Sequence, residues 1–249
     1  MITLYTDSSP NGFKITIALE ELGLAYTLRH VKIAEGENRR PDFLHLNPHG
    51  RIPVLVDDSS GITLFESAAI LLYLADKTGQ LLPSVPTMRW EAIQWLMFNA
   101  ASVGPIIGQR VHFELFAAAR NPEAIAHYRR LVNEAFATLD RRLAAHPYLA
   151  GEAYSIADIA QFGWTHIARI IGFDFSVHKH VSAWRGPPCS EASRCPRPRQ
   201  RLEPETRKPA QGGLLGGADC LRQVQAEIWC TRRDSNPRPL PSEGSTLSS

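Results

Sequence analysis

Residues 6–14 contain the best candidates for chemistry, because they join a short apolar run to an amphipathic one in the order strand, turn, helix. Ser9 can cap the helix, and Pro10 suits its first position. The backbone N–H of Asn11 then falls in a first turn that has no intrahelical acceptors. Such a helix start attracts negative charge, including a thiolate, although the same residues are also typical of an ordinary helix cap.

The elements that would position this turn follow in a regular order. Apolar periodicity and turn residues predict strands and helices alternating as βαβαββα, with strands at 2–6, 26–32, 52–56 and 62–64 and helices at 12–22, 39–46 and 66–78. This order describes a small sheet with helices packed against it.

From residue 89 to residue 181 the pattern is helical. Apolar stripes predict helices at 89–103 and 125–145, and such stripes are typical of a core. Residues 104–108 form a break where a helix could bend toward the site. Ser155 and Asp158 have the spacing of a capping box and open an apolar helix that runs through Ile171.

Three polar residues of the helical part could line a cleft: Gln109, His112 and His127. For each histidine, a surface or satisfied core imidazole is the simpler interpretation. His45, His49 and His112 do not have metal-ligand spacing, and Lys14 does not belong to a phosphate loop. No metal or nucleotide is therefore expected.

The chain has 249 residues, of which 44% are hydrophobic and 21% are charged, and its formal net charge is +2. This composition is that of an ordinary globular protein. No apolar run approaches the roughly 18 residues of a membrane span, and the first residues lack a signal layout, which predicts a cytoplasmic protein without a membrane partner. The charge is too small to favour nucleic acid.

Residues 186–249 differ in composition from everything before them. They hold all four cysteines and none of the nine histidines, and they show almost no apolar periodicity. A disordered basic tail, a proline-rich ligand segment or out-of-frame translation would each explain them. We favour the out-of-frame explanation, because an organised helical pattern breaks off at residues 184–185, and we assign the tail no function.

Four segments resemble the glutathione transferases: SPNGFK at 9–14, LEELGL at 19–24, NPHGRIPVL at 47–55 and LFESAAILLYL at 64–74. The Pro-Asn-Gly-x-Lys turn is similar to that of the nu class, whose bacterial members include glutathione-dependent disulfide-bond oxidoreductases. The resemblance covers nearly all of residues 1–185 and none of the tail. Where family members have threonine, this chain has Ser9, which keeps the hydroxyl.

This resemblance implies the glutathione transferase fold, with an α/β thioredoxin-like domain and an all-α domain whose C-terminus is incomplete. We expect a thioredoxin-like domain at 1–79, a linker at 80–88, a helical domain at 89–185 and a tail at 186–249. The family also implies a homodimer.

By the same resemblance, Asn11 and Ser9 would act on the thiol of glutathione, lowering its pKa so that it becomes a nucleophile. The hydroxyl and N–H groups of Ser67 would hold the γ-glutamyl carboxylate, while Glu66 would take the ammonium group. As an alternative, an acid at this position simply complements the helix dipole.

The resemblance also implies a cis peptide bond before Pro53, so that the Ile52 backbone can pair with the extended peptide. A proline is also common at the first residue of a strand for purely structural reasons. Arg51 and Asn38 would address the glycyl end of glutathione.

Residues 1–185 contain no cysteine, so bound glutathione itself would supply the thiol that attacks a small electrophile or a disulfide. The predicted function is that of a glutathione transferase or disulfide-bond oxidoreductase. The alternative is a glutathione-binding regulatory protein with little turnover, poorly folded because of its tail.

Overall fold

The computed structural model describes residues 1–185, apart from the side chains of residues 169 and 170. The predictions made for residues 186–249 lie outside the described residues. Within the described part, no helix is both long and apolar enough to cross a bilayer.

The first part of the chain forms a four-stranded mixed sheet in the order β2-β1-β3-β4. The strands are β1 (Ile2–Thr6), β2 (Tyr26–His30), β3 (Val54–Asp57) and β4 (Ile62–Phe65). β1 runs parallel to β2 and antiparallel to β3, which is antiparallel to β4. The predicted small sheet is therefore confirmed, although the third strand begins at Val54, after the proline, because a proline has no N–H for the sheet ladder.

Helices α1 (Pro10–Glu21) and α2 (Pro41–Leu46) connect strands of the sheet, and α3 (Ser67–Thr78) follows β4, the last strand. Every residue of α1 from Gly12 to Leu19 is buried, so the sheet, α3 and α7 together cover this helix on all sides. Each of α1 and α2 starts at a proline, which fits the first turn because that turn has no use for the missing N–H.

The second part is all helical and also begins its first element at a proline. Its elements are α4 (Pro86–Phe98), α5 (Gly104–Val111), α6 (Pro122–Ala145), α7 (Ile156–Ile170) and α8 (Lys179–Arg185). π-helical turns follow α4 at Asn99–Val103 and α5 at His112–Phe116. Two predictions were therefore wrong: 89–103 is not one regular helix, and 104–108 is the start of α5 instead of a break. A π turn widens the hydrogen-bond spacing without interrupting the apolar stripe, so the stripe does not reveal it.

The predicted capping box at the start of α7 is confirmed. Asp158 accepts hydrogen bonds from the Ser155 backbone N–H and hydroxyl, both at 3.1 Å, and the Ser155 oxygen accepts from Ala157 N–H. Asp158 also accepts from Leu149 N–H at 3.0 Å and from the Trp184 indole at 3.1 Å. Burial raises the pKa of Asp158 to about 6, and the four donors act against that rise.

One hydrophobic cluster is shared by the two parts, and within it α1 packs against α7, while the helical part also has a core cluster of its own. Gly163 makes this contact close, because a Cβ at that position would collide with the carbonyl oxygen of Pro10 and lie 3.1 Å from Cγ of Lys14. Helix α7 of the helical part therefore lies directly against the first turn of α1, the turn in which the sequence predicts chemistry.

Candidate functional site

Three segments with predicted ligand contacts meet at one edge of the sheet. Tyr5 of β1 pairs with Val54 of β3, and Val54 pairs with Phe65 of β4. The end of β1, the start of β3 and the end of β4 are therefore side by side. The first turn of α1, the loop before β3 and the first turn of α3 consequently lie at the same edge.

The first turn of α1 has the predicted cap. Ser9 has extended backbone angles, and its Oγ accepts the Gly12 N–H at 3.0 Å. Its hydroxyl hydrogen remains available to a ligand, because a hydroxyl can accept and donate at once. The backbone N–H of Asn11 belongs to the turn that has no intrahelical acceptor. A Cβ at Gly12 would collide with Thr6 Oγ1, so only glycine allows the turn to fold this tightly onto β1.

The side chain of Asn11 is half-buried and contacts the helical part of the protein. Its Oδ1 accepts a hydrogen bond from the Trp164 indole N–H at 3.1 Å. The Asn11 Nδ2 is therefore the end of the amide that is left for a ligand.

The Ile52–Pro53 peptide bond is cis, as the family resemblance implied, and Pro53 is buried directly before β3. Asn47 holds this loop by donating from Nδ2 to the Arg51 carbonyl at 2.6 Å. Asn38 is buried and donates from Nδ2 to the Gly50 carbonyl at 2.8 Å. Asn38 therefore supports the loop, whereas the Arg51 side chain is exposed beside it.

Helix α3 starts directly at the site. Glu66 is exposed and has a φ of 69°, a value that costs a residue other than glycine about 1–3 kcal/mol and that often marks a functional position. Ser67 follows as the first helical residue and is 8% exposed. Its hydroxyl and the first N–H groups of α3 form a donor cluster, with the Glu66 carboxylate next to it in sequence.

Lys14 lies beneath these helix starts and is 3% exposed. Its Nζ lies 2.6 Å from Asn99 Oδ1 and 3.4 Å from Ser67 Oγ. Asn99 in turn donates to Gln161 Oε1 at 2.8 Å, so a buried polar chain joins α1 to α7. Burial lowers the pKa of Lys14 to about 7, against the opposing attraction of Glu66.

We expect this buried amine to make the stability of the fold depend on pH. The Lys14 pKa is about 7 in the folded protein, below its ordinary value of 10.5, so unfolding between these values takes up a proton. The free energy of unfolding therefore rises with pH in this window. The free energy of unfolding of the native protein minus that of Lys14→Met should rise by up to about 1.4 kcal/mol per pH unit from about pH 7 to pH 9. Urea denaturation at each pH measures both values.

This prediction is tested only by how the difference in free energy of unfolding between the native protein and Lys14→Met changes with pH. Its absolute size is no test, because Lys14→Met also removes the contacts with Asn99 and Ser67 at every pH. Lys32→Met is the control for loss of a positive charge, since the Lys32 side chain is 47% exposed and pairs with Glu35 on the surface. If the difference in free energy of unfolding between the native protein and Lys14→Met stays constant from about pH 7 to pH 9, the burial of a titrating amine is contradicted.

The three predicted cleft residues lie on α5, on the π turn after it and on α6. Gln109, on α5, and His112, at the π turn that follows, are both exposed, and the His112 ring packs edge-on against Phe113. His127 is exposed on α6 and its ring packs against the neighbouring Tyr128. Within the described residues, no hydrogen bond links any of them to the first turn of α1, and their role as cleft lining stays a prediction.

Sequence patterns included Lys14 in the predicted turn but gave its side chain no role, and they did not single out Asn99 or Trp164. Lys14 carries a signal that could have been used, because it is the one charged residue in an otherwise apolar stretch of α1. Asn99 belongs to the π turn after α4 and Trp164 to α7, and their contacts with α1 are not encoded in any local spacing. Among the described residues, no group of three or more histidine, cysteine or acidic side chains could hold a metal ion.

Comparison with known proteins agrees with this arrangement. The family model for the glutathione S-transferase N-terminal domain matches residues 1–76, and the model for the C-terminal domain matches residues 122–188. The disulfide-bond oxidoreductase YfcG of Escherichia coli is 40% identical over 189 residues, which cover 74% of this chain and 88% of that protein.

Two solved structures show the same fold with ligands bound. A glutathione transferase homologue from Lodderomyces elongisporus, with two glutathione molecules per subunit, superposes with a TM-score of 0.71 at 31% identity, covering 74% of this chain and 90% of that one. A glutathione transferase from Pseudomonas putida, with one glutathione disulfide per subunit, superposes with a TM-score of 0.67 at 36% identity. The match covers 72% of this chain and 83% of that one.

Proposed function

Because the chain belongs to the glutathione transferase family, we propose that it binds glutathione at the sheet edge and activates its thiol at the first turn of α1. It acts as a glutathione transferase or as a glutathione-dependent disulfide-bond oxidoreductase. The observation that carries this proposal is the meeting of two helix starts and the Ile52–Pro53 loop at one edge of the sheet.

The sulfur of glutathione is assigned to the turn that holds Ser9 and Asn11. Three donors are available there: the Ser9 hydroxyl, the Asn11 backbone N–H and the Asn11 Nδ2 group. Together with the helix dipole, they favour the thiolate over the thiol and so lower the thiol pKa. The thiolate is the competent nucleophile toward an electrophile or a disulfide sulfur.

The γ-glutamyl end is assigned to the start of α3. The Ser67 hydroxyl and the helix N–H groups suit the carboxylate, and the Glu66 carboxylate suits the ammonium group. The peptide part would pair with the Ile52 backbone, and Arg51 is exposed for the glycyl carboxylate. Asn38 would act on that end through the loop that it supports.

Disulfide reduction needs no cysteine of residues 1–185. Bound glutathione thiolate attacks one sulfur of the disulfide, a mixed disulfide forms and the other sulfur leaves as a thiolate. A second glutathione thiolate then attacks the glutathione sulfur of the mixed disulfide, releasing the second substrate thiolate and glutathione disulfide. The related structures with two glutathiones or one glutathione disulfide per subunit support this branch.

Binding and turnover together test the proposal. We expect retention of the full chain on immobilised glutathione, with activity in a conjugation assay, a disulfide-reductase assay or both. Retention without either activity would favour the alternative function, a glutathione-binding protein with little turnover. Failure to bind glutathione would overturn both.

Ser67→Ala should weaken glutathione affinity by about tenfold or more, because a hydrogen bond to a charged group contributes about 1.5–3 kcal/mol. The rate at saturation should change less, since the γ-glutamyl end is held alike in the ground and transition states. Calorimetry and steady-state kinetics measure the two effects. Ser60→Ala is the matched control, because the Ser60 hydroxyl bonds Tyr73 in another part of the domain. A lower rate at saturation with intact affinity would show that the assignment of Ser67 to the γ-glutamyl end is wrong.

We also propose the domain division 1–79, 80–88 and 89–185, together with a homodimer. The first boundary is supported by the end of α3 at Thr78, whereas α4 starts at Pro86 and so includes the last three residues of the linker. The dimer is supported by apolar side chains on the surface, with Trp90 68% and Met97 41% exposed on α4. Sedimentation equilibrium would detect the dimer.

A further inference from the structure

The hydrogen bond between Trp164 and Asn11 fixes the orientation of the Asn11 amide. The two residues are 153 positions apart in sequence, and the indole Nε1 lies 3.1 Å from Asn11 Oδ1. An indole nitrogen can only donate, so the amide atom that faces it must be the oxygen. The Nδ2 group then lies at the opposite end of the planar amide.

The Trp164 ring is itself held by glycines of α5. A Cβ at Gly104 would lie 2.8 Å from the indole nitrogen, and a Cβ at Gly108 would lie 3.4 Å from the ring. Gly163, next to Trp164, brings α7 against the carbonyl of Pro10. The indole N–H therefore reaches Asn11 from a ring that packs closely against α5, on a helix that packs closely against the start of α1.

We propose that Trp164 is a positioning residue that holds the Asn11 amide with its Nδ2 hydrogens toward the thiolate of glutathione. This inference rests on the proposed function of Asn11. Without the indole N–H the amide can turn over, and its oxygen then faces the thiolate, which disfavours that ionised form. A donor that is oriented before the charge develops stabilises the thiolate without a later reorganisation.

Trp164→Phe tests the proposal, because it removes the N–H and keeps an aromatic ring in the packed slot. We expect the thiol pKa of bound glutathione to rise and kcat to fall about threefold to tenfold, the effect of one ordinary hydrogen bond. Glutathione affinity near neutral pH should change little. The ultraviolet absorbance of the thiolate against pH and steady-state kinetics measure these quantities.

Trp95→Phe is the matched control, since the Trp95 indole nitrogen is buried and has no hydrogen-bond partner within the described residues. It should leave the thiol pKa and kcat at their native values. In an Asn11→Ala background, Trp164→Phe should not raise the thiol pKa further, because the group that it orients is gone.

The outcomes separate this inference from the proposed function. If Asn11→Ala raises the thiol pKa and Trp164→Phe does not, the positioning role is wrong while the role of Asn11 stands. If Asn11→Ala leaves the thiol pKa unchanged, the proposed activation by Asn11 fails and the inference fails with it. A further rise from Trp164→Phe in the Asn11→Ala background would assign the effect to general disturbance of the fold.

A measurement on the native protein covers the case in which Trp164→Phe does not fold. The Trp164 indole proton should be protected from solvent exchange in the native protein and should exchange faster in Asn11→Ala, as followed by NMR. An indole proton that exchanges freely in the native protein would overturn the proposal.

Discussion

Replacing Asn11 with alanine is expected to slow glutathione-dependent turnover by about one to two orders of magnitude. A hydrogen bond to a charged group contributes about 1.5–3 kcal/mol, and losing the dominant one to the thiolate raises the barrier by that amount. The thiol pKa of bound glutathione should rise together with the fall in kcat. Ser9→Ala should have the same direction and a smaller effect on turnover, with an additional loss of about 1 kcal/mol of stability from the missing helix cap.

Asn11→Asp shows whether the effect of Asn11→Ala comes from the lost hydrogen-bond donor to the sulfur or from the lost contact with Trp164. An aspartate oxygen can still accept the indole N–H that Asn11 accepts in the native protein, but the side chain offers no hydrogen to the sulfur and brings a negative charge near it. This variant should therefore be at least as slow as Asn11→Ala. Native rates and an unchanged thiol pKa in both variants would show that the thiol is activated elsewhere.

Replacing Asp158 with alanine is expected to lower the free energy of unfolding by about 3–5 kcal/mol. The carboxylate is buried and accepts from the N–H groups of Leu149 and Ser155, from the Ser155 hydroxyl and from the Trp184 indole. Alanine would leave these donors without their acceptor, and each buried donor left unpaired costs about 1–3 kcal/mol. Urea denaturation of the native and variant proteins at neutral pH measures the difference.

Asp174→Ala is the matched control for Asp158→Ala. Asp174 also accepts both the backbone N–H and the hydroxyl of a serine, Ser176, but the pair lies on the surface, where water can replace the lost bonds. Its removal should change the free energy of unfolding by about 1 kcal/mol or less. Equal effects of the two substitutions would mean that the buried acceptor does not stabilise the start of α7.

Local sequence was sufficient wherever a few neighbouring residues decide the conformation. Ser9 and Pro10 predicted the start of α1, and Ser155 with Asp158 predicted the start of α7, because a cap and the N–H groups that it satisfies lie within one turn. The alternation of apolar residues predicted the strands, and the family resemblance added the cis bond before Pro53. The wrong helix predictions concern Asn99–Val103, where a π turn keeps the apolar stripe intact and so leaves no signal, and residues 104–108, which begin α5.

By itself, the sequence determined which residues could offer donors to a thiolate, Ser9 and Asn11, since that depends on side-chain chemistry and position in a helix turn. The tertiary structure decided which way the Asn11 amide faces and that Lys14 is buried beneath the site. Both outcomes come from partners 153 and 85 positions away, Trp164 and Asn99, which the packing of α7 and the π turn brings to α1. A hydrogen bond across such a separation depends on how whole helices pack, and the spacing of residues within one helix does not encode it.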